Sequence, residues 1–248
     1  MAKTILIPIP SKDFDPTECA VPWKILVENG VQVKFATPNG EVAQCDQRML
    51  HGYDLGLLSS VLSADKNGKM AYLELEKNQE FQHPLSWENI VPEQFDGIIL
   101  PGGHAQGMKE YLESEVLKKI VSDFFQSNKP VGAICHGVVL AARSSINGVS
   151  ILKGRKTTAL LSTQEMLAWG LTCLWLGSYY RTYPQTVEAE VKSCLNSPAD
   201  FLKGPMPIKR DNLNDLESGF TVRDGNYLSA RWPGDAHRFG VEYLKMLN

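Results

Sequence analysis

A cysteine followed directly by a histidine, where an apolar run gives way to small residues, is the most reactive pattern in this 248-residue chain. The run is Val131-Gly132-Ala133-Ile134-Cys135-His136-Gly137. A strand ending at Cys135 with a helix opening at Gly137 makes a tight elbow, which needs small neighbours such as Ala133 and Gly137 and lifts the nucleophile above a sheet. The free N–H groups of the following helix would favour a thiolate at Cys135. His136 stands beside it for proton transfer.

A second pattern is Leu100-Pro101-Gly102-Gly103-His104, a strand ending in two glycines that let backbone approach a ligand. The Gly103 and His136 N–H groups together would make an oxyanion hole. His104 reads as a loop or helix-start residue rather than a metal ligand. Glu18, in Asp15-Pro16-Thr17-Glu18-Cys19-Ala20-Val21-Pro22-Trp23, lies in the first turn of a helix. On the residues alone it reads equally as a first-turn acid favoured by the helix dipole. Two further groups suit a pocket: Tyr180 and Arg181 in Tyr179-Tyr180-Arg181-Thr182-Tyr183-Pro184, and Arg231 and Trp232 after an apolar run.

The elements that must position these residues are readable from periodicity. Thr4 to Ile9, Val31 to Ala36, Phe95 to Leu100 and Pro130 to Ile134 read as strands. Helices are expected at Thr17 to Asn29, capped by Thr17 and stopped at Gly30, and at Val116 to Gln126, from Gly137 to Ala142, and at Ala236 to Leu247. Pro22 is tolerable only if that first helix starts close by. Lys156 to Leu160 is a candidate strand, and Thr221-Val222 with Tyr227 to Ala230 a hairpin across Asp224-Gly225. Two stretches, about 41–93 and 163–216, break the rhythm and read as insertions, the first partly helical near Leu57 to Leu62. Alternating strands and helices imply a mostly parallel sheet covered on both faces, with its site at the carboxyl ends of the strands.

Composition bounds the function. The chain is 43% hydrophobic and 21% charged, with a net charge of -3. That balance argues against general binding to nucleic acid or to an anionic membrane. No apolar stretch reaches the ~20 residues of a membrane span, and Pro8 and Pro10 interrupt the N-terminal run, so cytoplasmic residence is the expectation. The five cysteines, Cys19, Cys45, Cys135, Cys173 and Cys194, show neither disulfide nor zinc spacing. No cofactor and no metal are expected.

The motifs around Glu18, Gly103 and Cys135, in that order, resemble the class I glutamine amidotransferase-like superfamily. The branch they resemble is that of PfpI-type proteases and the parkinsonism-associated deglycase. The Glu18 segment, with Glu28-Asn29-Gly30 after it, is similar to heat-shock chaperones with glyoxalase III activity. The resemblance implies a flavodoxin-like three-layer α/β sandwich. It makes Cys135 the nucleophile, Glu18 the carboxylate that contacts it, Gly103 the oxyanion glycine, and Glu165 the candidate acid orienting His136. It implies a small carbonyl substrate such as methylglyoxal and allows a homodimer. Three activities remain open: a glyoxalase III-type conversion of a 2-oxoaldehyde to a 2-hydroxy acid, a cysteine amidase or peptidase, and a redox-sensing stress chaperone using an exposed low-pKa thiol. A true glutamine amidotransferase fits less well, because His237-Arg238-Phe239 lacks the His-x-Glu pattern.

Overall fold

Short, wholly apolar runs build the sheet. In the computed structural model, which describes residues 3–247, they are β1 (Thr4–Pro8), β2 (Gln32–Thr37), β3 (Leu85–Ser86), β4 (Gly97–Leu100), β5 (Val131–Ile134), β6 (Thr221–Asp224) and β7 (Tyr227–Ala230). The seven-stranded order is β6-β7-β5-β4-β1-β2-β3, and β6–β7 is its antiparallel pair. Every residue of β4, β5 and β7 is buried, as in sheets covered on both faces. The central registers bring Leu100 opposite Ala133, and Ile134 opposite Ala230. Three chain segments therefore leave the sheet side by side at their carboxyl ends: after Leu100, after Ile134 and after Ala230.

Helices cover both faces. α1 (Pro16–Glu28) packs with α2 (Lys66–Leu75) and with the closing helix α7 (Ala236–Met246). α3 (Glu115–Gln126) and α4 (Gly137–Arg143) pack together, and each touches β5. α7 sits so close to the sheet that a Cβ at Gly132 would meet Phe239 at 2.7 Å. The architecture is thus the three-layer α/β sandwich expected, with a mostly parallel sheet.

Several expectations need correction. The cap of α1 is Asp15, not Thr17: its Oδ1 accepts from the N–H groups of Thr17 and Glu18 at 2.8 and 3.0 Å. An Asx cap of this kind releases Pro16 for the first helical position, where a missing N–H costs nothing. Pro22 lies inside the helix, where it removes the N–H that would bond the Glu18 carbonyl. Lys156 to Leu160 is not a strand of the sheet; Thr157 makes one isolated bridge with Phe201. Residues 41–93 are not wholly outside the sheet. They supply β3 at its edge, and buried Phe81 packs edge-on to Phe35 at 5.3 Å. Near Leu57 the chain forms two short helical turns, Gly56–Leu58 and Ser59–Leu62, and α2 follows. Within 163–216 the principal elements are α5 (Ser162–Leu176) and α6 (Val187–Ser193), which form a roof beside the strand ends. No described helix is long and apolar enough to cross a membrane.

Candidate active site

Cys135 is the first residue beyond β5, and its φ is +56°. A left-handed conformation at a residue with a Cβ costs roughly 1–2 kcal/mol and is held by its surroundings. Its N–H donates to the Ala230 carbonyl at 3.1 Å, tying the elbow to β7. A Cβ at Gly137 would lie 2.0 Å from the Leu100 carbonyl oxygen, so no larger residue fits there. A Cβ at Gly102 would strike Glu18 Oε2 at 2.6 Å and the His136 nitrogen at 2.7 Å. The glycines are the condition for packing the elbow, the Gly102 turn and α1 together.

Glu18 and Cys135 do meet. Both line one cavity, and each carboxyl or thiol is close enough to shift the other's pKa, with the His136 N–H beside the sulfur. Glu18 Oε2 accepts from the Gly102 N–H at 2.9 Å, while buried Oε1 has no aligned partner. Glu18 is 0% and Cys135 4% exposed. Burial pushes the Glu18 carboxyl well above the usual range, and the charge of Asp15 pushes it further. Burial, Glu18 and Asp15 likewise push the Cys135 thiol up, against the His136 N–H. The expected helix-lowered thiolate is therefore corrected: the nearby His136 N–H and a short helix do not outweigh desolvation and two carboxyls. The thiol therefore needs a base to take its proton.

That base is built from two layers of the molecule. His136 Nδ1 lies 3.5 Å from Cys135 Sγ, and its Nε2 lies 3.2 Å from Thr182 Oγ1. The Thr182 hydroxyl donates to the His104 carbonyl at 2.5 Å. Its proton is thus committed, and toward the ring it accepts. This assigns the proton to Nε2 and leaves Nδ1 as an acceptor facing the thiol. Burial, with His104 and Arg143 adding to it, holds the His136 pKa down at about 3, so the ring is neutral.

Glu165 is not the partner of His136. Its Oε2 accepts from the Val187 N–H at 3.0 Å, and its Oε1 faces Arg181 Nε at 3.3 Å. These contacts join α5 to α6 and use both oxygens, although the residue also borders the cavity. Arg181 turns to Glu165 and to the Tyr183 carbonyl, and lines a separate groove beside Thr182 rather than the space above the thiol. Arg231 is fully buried and forks onto Asp235, with Nε–Oδ2 at 2.9 Å and Nη2–Oδ1 at 2.8 Å, so it does not line a pocket.

The remaining candidates converge. Gly103, Tyr180 and Trp232 line a cavity of about 230 Å³ together with Cys135 and Glu18. Gly103 has a φ of +149°, and its N–H has no protein acceptor among the described residues, as an oxyanion donor requires. The His136 N–H lies beside the sulfur. Tyr180 stacks on His104 with ring centres 4.3 Å apart. Sequence reasoning missed Asp15 and Thr182. The cavity also contains Asp15, whose carboxyl burial lifts to about 6. Asp15 was visible as the Asx residue before Pro16; Thr182 carried no signal. Among the described residues no group of three or more His, Cys, Asp or Glu could hold a metal.

A cysteine on a left-handed elbow, a carboxyl from the first helix and two glycines after the neighbouring strand define a site type as well as a fold. A family model for ThiJ/PfpI family-like proteins matches residues 9–194. The chain belongs to this family. This ThiJ/PfpI-like protein is 28% identical over 163 residues to a deglycase of Thermococcus kodakarensis, covering 66% of this chain and 69% of that one. It is 29% identical over 163 residues to an uncharacterised protein of Schizosaccharomyces pombe, 65% of this chain and 58% of the relative. It thus spans little more than half the length of that fission-yeast relative. In fold it is similar to a glyoxalase III of Candida albicans, with a TM-score of 0.70 at 15% identity over 99% of this chain and 98% of the other. It is also similar to Drosophila melanogaster DJ-1beta, with a TM-score of 0.58 at 16% identity over 100% and 91% of the two chains.

Proposed function

We propose that this ThiJ/PfpI-like protein is a cysteine-dependent, cofactor-independent enzyme of the glyoxalase III type, converting a 2-oxoaldehyde such as methylglyoxal to a 2-hydroxy acid. The carrying observation is that the Cys135 thiol and the Glu18 carboxyl line one cavity, with the acceptor Nδ1 of His136 3.5 Å from the sulfur. The thiol adds to the aldehyde carbon: an S–C bond forms, the C=O π bond opens, and the thiol proton passes to Nδ1. The new oxyanion lies beside the Gly103 and His136 N–H groups and takes the Glu18 proton, giving a hemithioacetal and leaving Glu18 a carboxylate that can remove the C1 hydrogen. Removal of the C1 hydrogen gives an enediol, and reprotonation at C2 gives a 2-hydroxyacyl thioester. Glu18 is the carrier for this transfer, since its raised pKa lets it hold a proton between the two carbons. Water then splits the thioester, releasing the 2-hydroxy acid and restoring the thiol. The net change is addition of one water to the substrate.

Two alternatives are weaker on geometry. An amidase needs a carboxylate behind the histidine, and here a threonine hydroxyl stands there. A redox sensor needs an exposed, low-pKa thiol, and here the sulfur is buried and its pKa raised. The deciding experiment measures lactate formed from methylglyoxal by the purified protein without glutathione. Turnover that disappears in Cys135→Ala is expected. No turnover, or turnover kept by that variant, defeats the reading.

A further inference from the structure

The cavity above Cys135 is divided by chemistry. Polar groups, among them Asp15, Glu18 and His104, cluster at the thiol. The rest of the lining is mostly apolar, with Met49, Leu160, Ala168, Leu171, Tyr180 and Trp232, though Gln164, Glu165 and Arg210 also border it. The rim continues in the same character, with Val61, Leu167 and Ile208 lining it although 64%, 63% and 80% exposed. A volume of about 230 Å³ corresponds to roughly seven waters at ~30 Å³ each. Methylglyoxal, with about five heavy atoms, fills less than half of that. Bound alone it would leave most of the apolar wall facing water, which is the unfavourable arrangement.

We infer that the site is shaped for a 2-oxoaldehyde whose second carbonyl carries a branched alkyl or aryl group larger than methyl, seated against Leu160, Leu171, Tyr180 and Trp232 while the aldehyde meets Cys135. The inference rests on the reaction proposed above and names its substrate class. The carbonyl end is recognised by the polar floor. The apolar end supplies binding energy remote from the reacting carbon, which steadies the aldehyde against the thiol. Each added methylene in a fitting hydrophobic pocket is worth about tenfold or more in specificity, so several carbons give a clear preference. Ala168 sits in the wall, and a large side chain there would occupy the space meant for the substituent.

The test compares isobutylglyoxal with methylglyoxal as substrates without glutathione, in the wild type and in Ala168→Trp. The expected result is a kcat/KM at least tenfold higher for isobutylglyoxal, and a fall of at least tenfold in that ratio in the variant. A second measurement does not depend on turnover: the rate at which Cys135 is alkylated by N-benzyl iodoacetamide against iodoacetamide, read by intact mass with Cys135→Ala as blank. Faster labelling by the benzyl reagent is expected. Equal or better turnover of methylglyoxal, with no advantage for the benzyl reagent, overturns the inference and leaves the reaction standing. Absence of turnover with either aldehyde, with faster benzyl labelling, overturns the reaction and keeps the apolar seat.

Discussion

Asp15 does two jobs with one carboxyl. It caps α1 through Oδ1, and its charge raises the pKa of both Glu18 and Cys135. Asparagine is an equally good cap, so Asp15→Asn removes the charge and keeps the helix start. The expected outcome is at least a threefold rise in the rate at which iodoacetamide alkylates Cys135 at pH 8, followed by mass; an unchanged rate would show that the charge does not reach the sulfur. At Thr182 the argument concerns a single hydrogen bond. Thr182→Val leaves Nε2 of His136 without an acceptor, and the ring loses its fixed tautomer. A loss of about ten- to a hundredfold in kcat with little change in KM is expected. Thr182→Ser should restore it. Nitrogen-15 NMR of the imidazole reports the tautomer directly, and a spectrum unaltered by the valine would refute the assignment. Cys135 and His136 could be singled out from sequence by local turn chemistry, whereas Gly103 and Glu18 took their roles from the family resemblance of their motifs. Thr182 could not, because its partner is His136, and nothing in an irregular stretch between two helices announces a contact with the end of a strand.

At the scale of elements, the elbow and the turn after β7 carry the geometry. Gly137 lies against the backbone of Leu100 and Pro101, which cannot rotate away. Gly137→Ala should cost about 1–3 kcal/mol or more, read by urea denaturation. A loss below about 0.5 kcal/mol would mean that the strand ends yield easily. After β7, Arg231 and Asp235 form a fully buried pair, and Arg231 also donates to the carbonyls of Lys203 and Pro205. Arg231→Met strands a buried carboxyl, and a loss of about 3–5 kcal/mol is expected. That pair was invisible from sequence, where Arg231 and Trp232 looked alike as pocket candidates. The structure turns the first into the interior and the second toward the cavity. The same difficulty hid β3: a two-residue strand has no periodicity to read, and its place at the sheet edge comes from Ala36 and Thr37, to which it pairs.

Across the whole molecule, the alternation of apolar runs and amphipathic helices specified every strand of the sheet but β3, and added one, Lys156 to Leu160, that the sheet lacks. The residues over its carboxyl edge were not so specified, because roof and cavity are built from segments of no regular period. One global consequence concerns pH. The Asp15 carboxyl has a folded-state pKa of about 6, above its ordinary 3.8. A raised carboxyl pKa means that the ionised form opposes folding. Its contribution to stability is therefore complete below about pH 3.8 and fades as pH rises through about 6. Asp15→Asn should accordingly gain stability over the wild type at pH 8 compared with pH 4, in matched urea melts. A constant difference between the variants at both pH values would contradict the raised value.

The contact between Thr182 and His136 has one more implication. The hydroxyl that holds the imidazole comes from the covering segment, while the imidazole itself belongs to the strand-end elbow. Arming of the sulfur and closure of the chamber are then a single event. Displacing that segment would take away the hydroxyl that fixes the imidazole, so the roof of the chamber and the base beside the sulfur depend on the same contact.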